Sequence, residues 1–136
     1  MIRMLIENDV IFAYMNERDR NHKKAEVLFQ KIRDGLEVEA SSVCLLEMEL
    51  VFKSESREDE LLGVITALKG IENIEFLPVT PEMVISSIAI RRNYTLTFFD
   101  SHYAATALSR DRIIISMDKA YEDIPNLNRY EPDEVP

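Results

Sequence analysis

Cysteine is nearly absent from this 136-residue chain: Cys44 stands alone, which excludes an internal disulfide and fits a reducing compartment such as the cytoplasm. Histidine is almost as scarce, with His22 and His102 the only two, so the ligand spacing of a zinc site does not occur. Three Gly and five Pro describe a compact globule without a linker or a low-complexity segment. Long apolar runs are missing as well. The first apolar stretch is interrupted by Arg3, Glu7 and Asp9, which excludes both a signal peptide and a membrane span. There is no G-x-S-x-G elbow and no suitable histidine beside one, so a hydrolase with a Ser or Cys nucleophile is excluded. Basic residues are also short: 16 Lys and Arg face 25 Asp and Glu, a net charge of −9, which argues against binding duplex nucleic acid by counterion release alone. A phosphate-bearing substrate would need metal ions or a local basic patch.

What is present is 46% hydrophobic and 30% charged, in a length that suits one domain over residues 1–136. Residues Ile2 to Ile6 read as a strand running into a helix that carries Val10, Ile11, Ala13 and Tyr14 at helical spacing. His22 to Arg33 shows an apolar stripe of Ala25, Leu28, Phe29 and Ile32, ended by Gly35. Val38 to Ser41 reads as a second strand, and Ser41 or Ser42 as the cap of the next helix. In that helix Val43, Leu46, Leu50 and Val51 define the expected buried face. Glu58, Asp59 and Glu60 open a helix with Leu61, Leu62, Ile65 and Leu68 on its apolar side. Ile74 to Val79 is an expected strand. Thr80 and Pro81 begin a helix with a Pro81, Val84, Ile85, Ile88 stripe, ending near Asn93. Asp111 and Arg112 turn the chain into Ile113 to Ile115, a run suited to a strand covered on both faces, and Leu127 to Glu131 reads as an edge strand. Strands separated by helices imply a three-layer α/β/α sandwich around a mainly parallel sheet, with ligands outside the strands' carboxyl ends.

With acids this frequent, only an acid in an apolar setting is informative, because an unpaired buried charge is costly. Four places qualify. Glu7 and Asp9 close the first strand, and Asp118 follows the Ile113 to Ile115 run. Glu47 falls on the apolar stripe of its helix and must find a cation, a proton or a metal ion; a structural ion pair and a metal site weigh equally. Asp100 opens a helix in which Ser101, Ala104, Ala105 and Leu108 recur at i, i+3, i+4 and i+7, and its plainest reading is an N-cap.

Taken in order, these segments resemble PIN-domain ribonucleases, in particular the VapC-type toxins of type II toxin-antitoxin systems, over nearly the whole chain. IENDVIFAYMN is similar to the family's opening strand and turn, ASSVCLLEMEL to the helix that bears its Glu, and LTFFDSHYAATAL and IIISMD to its third and fourth acidic motifs. The resemblance implies a metal-dependent endoribonuclease in which Glu7, Glu47, Asp100 and Asp118 are catalytic and, with Asp9, hold Mg²⁺ or Mn²⁺. It implies a VapB-type antitoxin partner and a homodimeric or larger assembly. Ser116 matches a Ser or Thr that commonly precedes the last acid. Two departures stand out: Glu7 replaces the family's usual first Asp, and Ala120 falls where many members carry a further Asp. Convergent carboxylates repel one another unless protonated or neutralised by a divalent cation, and hard oxygen ligands favour Mg²⁺ or Mn²⁺. The alternative is a PIN-like module that has lost turnover and binds RNA or protein. A phospho-accepting receiver domain is discounted, because the region after the middle strand reads Val79-Thr80-Pro81-Glu82 rather than a solitary acceptor Asp.

The remaining residues have ordinary readings beside functional ones. His102 is expected to be a partly exposed His rather than a site residue. Arg91 and Arg92 suit substrate phosphate and a helix dipole equally, and Lys119 shares that ambiguity. Phe98 and Phe99 are expected in the core rather than as a base-stacking platform, Tyr14 in packing and Cys44 as a small core residue.

Overall fold

The computed structural model describes residues 1–136. Strands β1 (Met4–Ile6), β2 (Val38–Ser41), β3 (Ile74–Leu77), β4 (Ile113–Ile115) and β5 (Asn128–Tyr130) form one sheet in the order β3-β2-β1-β4-β5. All four pairings are parallel, with Met4 opposite Ile113, Ile6 opposite Ile115 and Ser41 opposite Leu77. The helices are α1 (Asn8–Met15), α2 (His22–Arg33), α3 (Val43–Ser54), α4 (Glu58–Lys69), α5 (Pro81–Asn93) and α6 (Phe98–Leu108). Successive strand residues point to opposite faces, and every residue of β1 and β2 is buried, so both faces of the sheet are covered. The expected three-layer α/β/α arrangement is therefore present. The strands are shorter than their apolar runs. Ile2 and Val79 lie exposed beyond the last paired residues, where no neighbouring strand continues the ladder.

Helix α2 follows its sequence stripe, burying Ala25, Leu28, Phe29 and Ile32, and Gly35 ends it with φ +118°. Tyr14 of α1 stacks on Phe29 with ring centroids 3.9 Å apart, which fixes α1 against α2. In α6 the small residues Ala104, Ala105 and Ala107 are buried and let its backbone approach the sheet. The chain's acidic end forms a 3₁₀ turn, Pro132–Glu134, and buries Val135, whose carbonyl accepts from Lys31 of α2. No helix is long and apolar enough to cross a membrane.

Two helices bury faces other than the ones their sequences suggest. The hydroxyl of Ser41 accepts from Val43 N at 3.1 Å, and α3 then turns Cys44, Met48 and Phe52 inward at i, i+4 and i+8. Leu46 and Leu50 are consequently each 57% exposed, while Glu47 stays half-buried at the edge of the packed stripe. Helix α5 packs chiefly on α6 and offers it Ser87 and Ile90, leaving Val84, Ile85 and Ile88 uncovered. Helix α4 does pack on its expected side, with Leu68 fully buried, Leu61 and Ile65 partly buried against the core and only Leu62 exposed. In α3 and α5 an apolar pattern marked a helix correctly but not which side is packed.

Candidate active site

Strands β1 and β4 lie side by side at the centre of the sheet, and the chain leaves them toward opposite edges. Their carboxyl ends therefore flank the point where strand order reverses, the usual ligand crevice of such sheets. Glu7 follows β1 and Ser116 to Asp118 follow β4. Glu7 is 5% exposed and caps α1, its Oε1 accepting from Asp9 N at 3.1 Å. The hydroxyl of Ser116, fully buried, donates to Asp9 Oδ2 at 2.7 Å and approaches Glu7 Oε2 at 3.3 Å. Met117 N also donates to Asp9 Oδ2, at 2.9 Å, and Asp118 N donates to Ser116 Oγ at 3.0 Å. Ser116 thus ties the acids of the first strand to the turn after the fourth. Asp118 sits exposed at the rim, its Oδ1 accepting from Ala120 N at 2.9 Å.

The other two acids enter from helices. Glu47 of α3 has no cationic partner within salt-bridge distance; its Oε1 accepts from Asn8 Nδ2 at 2.8 Å and from the Tyr103 hydroxyl at 2.7 Å. Between the two readings open to a carboxylate on that stripe, the structural ion pair is therefore absent. Asp100 is not the cap of α6. Thr97 holds that place, its Oγ1 accepting from Asp100 N at 3.2 Å, which leaves the Asp100 carboxylate free at the third helical position. Asn8 and Tyr103 are site residues that pattern reading missed. Asn8, buried after an apolar strand and also bonded to Cys44 O at 2.9 Å, could have been noticed as a polar side chain in an apolar setting. Tyr103 looks like any helix-core aromatic until its hydroxyl is seen.

The electrostatics express the convergence. Burial, then repulsion from Asp9 and Asp100, holds the Glu7 carboxyl well above the usual range. Burial likewise raises Asp9, and burial followed by the charges of Asp118 and Glu47 raises Asp100. Burial beside Glu47 and Glu7 pushes the Cys44 thiol up to about 12, so it is inert packing rather than a nucleophile. Glu7, Asp9, Glu47, Asp100 and Asp118 thus lie near enough to the carboxyl ends of β1 and β4 to act on one another's ionisation. No three acidic, His or Cys side chains are yet close enough together to share one ion. The oxygens nonetheless suit a hard cation, and Asn8 Oδ1 and Asp9 Oδ1 are buried acceptors without a donor.

These raised values set a pH dependence. Glu7 is harder to ionise folded than unfolded, so its stabilising contribution is complete below about 4.5, its ordinary value, and is lost as pH rises through the raised folded value. In chelator, Glu7→Gln should be more stable than wild type at pH 8, by about 1 kcal/mol, with the advantage shrinking toward pH 5. His102, whose pKa burial and Arg91 lower, pulls the opposite way but is common to both proteins and cancels in the difference. Urea midpoints across that pH range test this, and a difference independent of pH would refute it.

Other residues lie elsewhere. His102 is buried and faces α5, its Nε2 3.5 Å from Ser87 Oγ. Phe98 is 55% exposed rather than in the core, with the Arg91 guanidinium 5.0 Å from its ring centroid, while Phe99 is half-buried. Arg91 also donates to Ser101 Oγ at 2.8 Å. A cleft of about 270 Å³ lined by Arg3, Glu39 and Glu75 lies at the opposite end of the strands. There the buried Glu39 is already matched by Arg110, at 3.0 and 2.6 Å, and by Arg3 at 3.2 Å, which marks a structural cluster.

The PIN domain family profile matches residues 4–127. No curated protein matches the chain in sequence. Among solved structures, the fold is similar to that of VapBC2 from Rickettsia felis bound to a DNA fragment from their promoter (TM-score 0.76, 10% identity, 96% of this chain and 98% of that one). It is similar to the sarcin-ricin loop cleaving toxin VapC20 of Mycobacterium tuberculosis (TM-score 0.71, 14% identity, 88% and 92%). It is also similar to DNA-bound VapBC from Salmonella typhimurium (TM-score 0.71, 20% identity, 97% and 99%). At these identities the likeness is one of fold.

Proposed function

The chain belongs to the PIN domain family, and from that premise we propose that it is a metal-dependent endoribonuclease, a VapC-type toxin acting on RNA phosphodiester bonds as a single cytoplasmic domain. The observation that carries this reading is the meeting of Glu7, Asp9, Glu47, Asp100 and Asp118 at the reversal point of a parallel sheet without a compensating cation side chain. In this reading the five acids hold Mg²⁺ or Mn²⁺. The ion, when bound, supplies Lewis acidity at the scissile phosphate and activates water there. Mg²⁺ keeps most of its waters and needs only one or two carboxylates directly, which accords with the spread of these side chains. Asn8 and Tyr103 fix the orientation of Glu47, Ser116 fixes Glu7 and Asp9, and Asp118 faces solvent, where an RNA strand would enter. Ionisation of Glu7, Asp9 and Asp100 is disfavoured by burial, so these groups favour a cation that relieves that penalty.

The solved neighbours that are toxin-antitoxin complexes support a VapB-type antitoxin as partner, and the uncovered α5 face of Val84, Ile85 and Ile88 supports a homodimeric assembly. The test is cleavage of single-stranded RNA by chelator-stripped protein, expected to start on adding Mn²⁺ or Mg²⁺. The competing module without turnover draws on Glu7 and Ala120, to which the absence of three acids close enough to share one ion adds support, and metal binding without cleavage would establish it. Glu7→Asp should retain or raise activity, because Asp also caps α1 well and restores the family's first acid. A loss greater than about tenfold, roughly 1.4 kcal/mol of barrier, would remove Glu7 from that role.

A further inference from the structure

Four of the five acids at the crevice have their carboxylate oxygens engaged by protein donors: Glu7 by Asp9 N and Ser116, Asp9 by Ser116 and Met117 N, Glu47 by Asn8 and Tyr103, Asp118 by Ala120 N. Asp100 differs. It is half-buried, its backbone N–H is satisfied by Thr97, and no hydrogen bond closes on its carboxylate, beside which lie the hydroxyls of Thr97 and Tyr121. The same crevice contains one hydroxyl with the complementary deficit. Tyr121, in the 3₁₀ turn Lys119–Asp123 that Asp118 caps, is 0% exposed, and its hydroxyl is buried without a partner. An unsatisfied buried hydroxyl is a cost that phenylalanine would avoid at the same volume. Its charged neighbours are Glu7, Asp100 and Asp9, all acceptors when ionised, and Asp100 is the one that also lies within reach of its hydroxyl.

We propose that Tyr121 is a positioning residue of the carboxylate crevice, its hydroxyl donating to Asp100 and fixing which carboxylate oxygen is presented to the cation. Tyr121 and Asp100 are near enough for the hydroxyl to favour the ionised carboxylate, and the buried hydroxyl has no other partner. Two tyrosines then divide the work: Tyr103 orients the acid of α3, and Tyr121 orients the acid of α6. The cation half of the inference rests on the metal-site reading above, whereas the pairing of Tyr121 with Asp100 does not.

Two measurements on the intact chain test it and keep those halves apart. In chelator, urea midpoints of wild type, Tyr121→Phe, Asp100→Ala and the double variant form a cycle. Coupling is expected, so that Tyr121→Phe costs less or even stabilises once Asp100 is gone; additive shifts would overturn the pairing. Titration with Mn²⁺ alone, read by calorimetry, should show affinity about tenfold weaker in Tyr121→Phe, with the same substitution silent in the Asp100→Ala background. Unchanged affinity in Tyr121→Phe would overturn the positioning role even if the cycle shows coupling. Wild type that binds no Mn²⁺ would overturn both the metal-site reading and the cation half of this inference, leaving the cycle to decide the pairing. A tyrosine serving only as packing would move neither measurement, because phenylalanine preserves its shape.

Discussion

Asp100→Asn should lower kcat/KM for RNA cleavage by about a thousandfold, close to 4 kcal/mol of transition-state stabilisation, while leaving the fold intact. The substitution keeps the volume of a half-buried side chain at the third position of α6, and Thr97 still caps the helix. What disappears is a negative charge in a crevice where charge is its chemical purpose. The carboxyl of Asp100 is raised by burial and then by Asp118 and Glu47, so removing its charge should also raise the metal-free protein's stability at neutral pH. Loss of activity with gain of stability distinguishes a site residue from a structural one. Steady-state cleavage beside urea unfolding of the same preparations measures both, and an Asn variant that cuts RNA within tenfold of wild type would end the nuclease assignment of this crevice.

Phe29→Ala should be the costliest single core truncation among the aromatic contacts described, destabilising by about 3–5 kcal/mol. Phe29 is fully buried in the stripe of α2, and Tyr14 lies flat against it with an interplanar angle of 4°. Tyr14 is held from its other side, Arg33 donating to its hydroxyl at 2.6 Å, so the ring is not free to swing into the void. The cavity should therefore persist rather than collapse. Against a total stability of about 5–15 kcal/mol, that loss is a large fraction of what holds the domain together. Equilibrium urea unfolding measures it directly, and a loss below about 1.5 kcal/mol would mean that α1 and α2 repack around the smaller side chain.

The parts of the fold that depend on periodicity were legible in the chain. The apolar stripe of α2, the Thr80-Pro81 start of α5 and the β-branched run of β4 each state a local preference that tertiary packing did not overrule. The five acids were legible because each interrupts an apolar pattern. The faces of α3 and α5 were not. Their apolar residues outnumber what one contact can cover, so the packed side is selected by neighbours, and Leu50 and Ile85 remain in solvent. The donors that orient the acids were also hidden. Tyr103 acquires its role only from a residue far away in sequence, and a side chain whose importance lies in a long-range hydrogen bond leaves little local trace, whereas Asn8 betrays itself only as a polar group in an apolar setting.

The joint between the first and fourth strands has a consequence for synthesis. Ser116 meets Glu7 across 109 positions and Asp9 across 107, so the two halves of the crevice leave the ribosome at nearly opposite ends of translation. Contacts of such wide separation form late, after loop closure has been overcome. An emerging polypeptide that stops short of Ser116 has already made all six α-helices yet lacks the residue that joins those halves, so the crevice is completed only after α6 has formed.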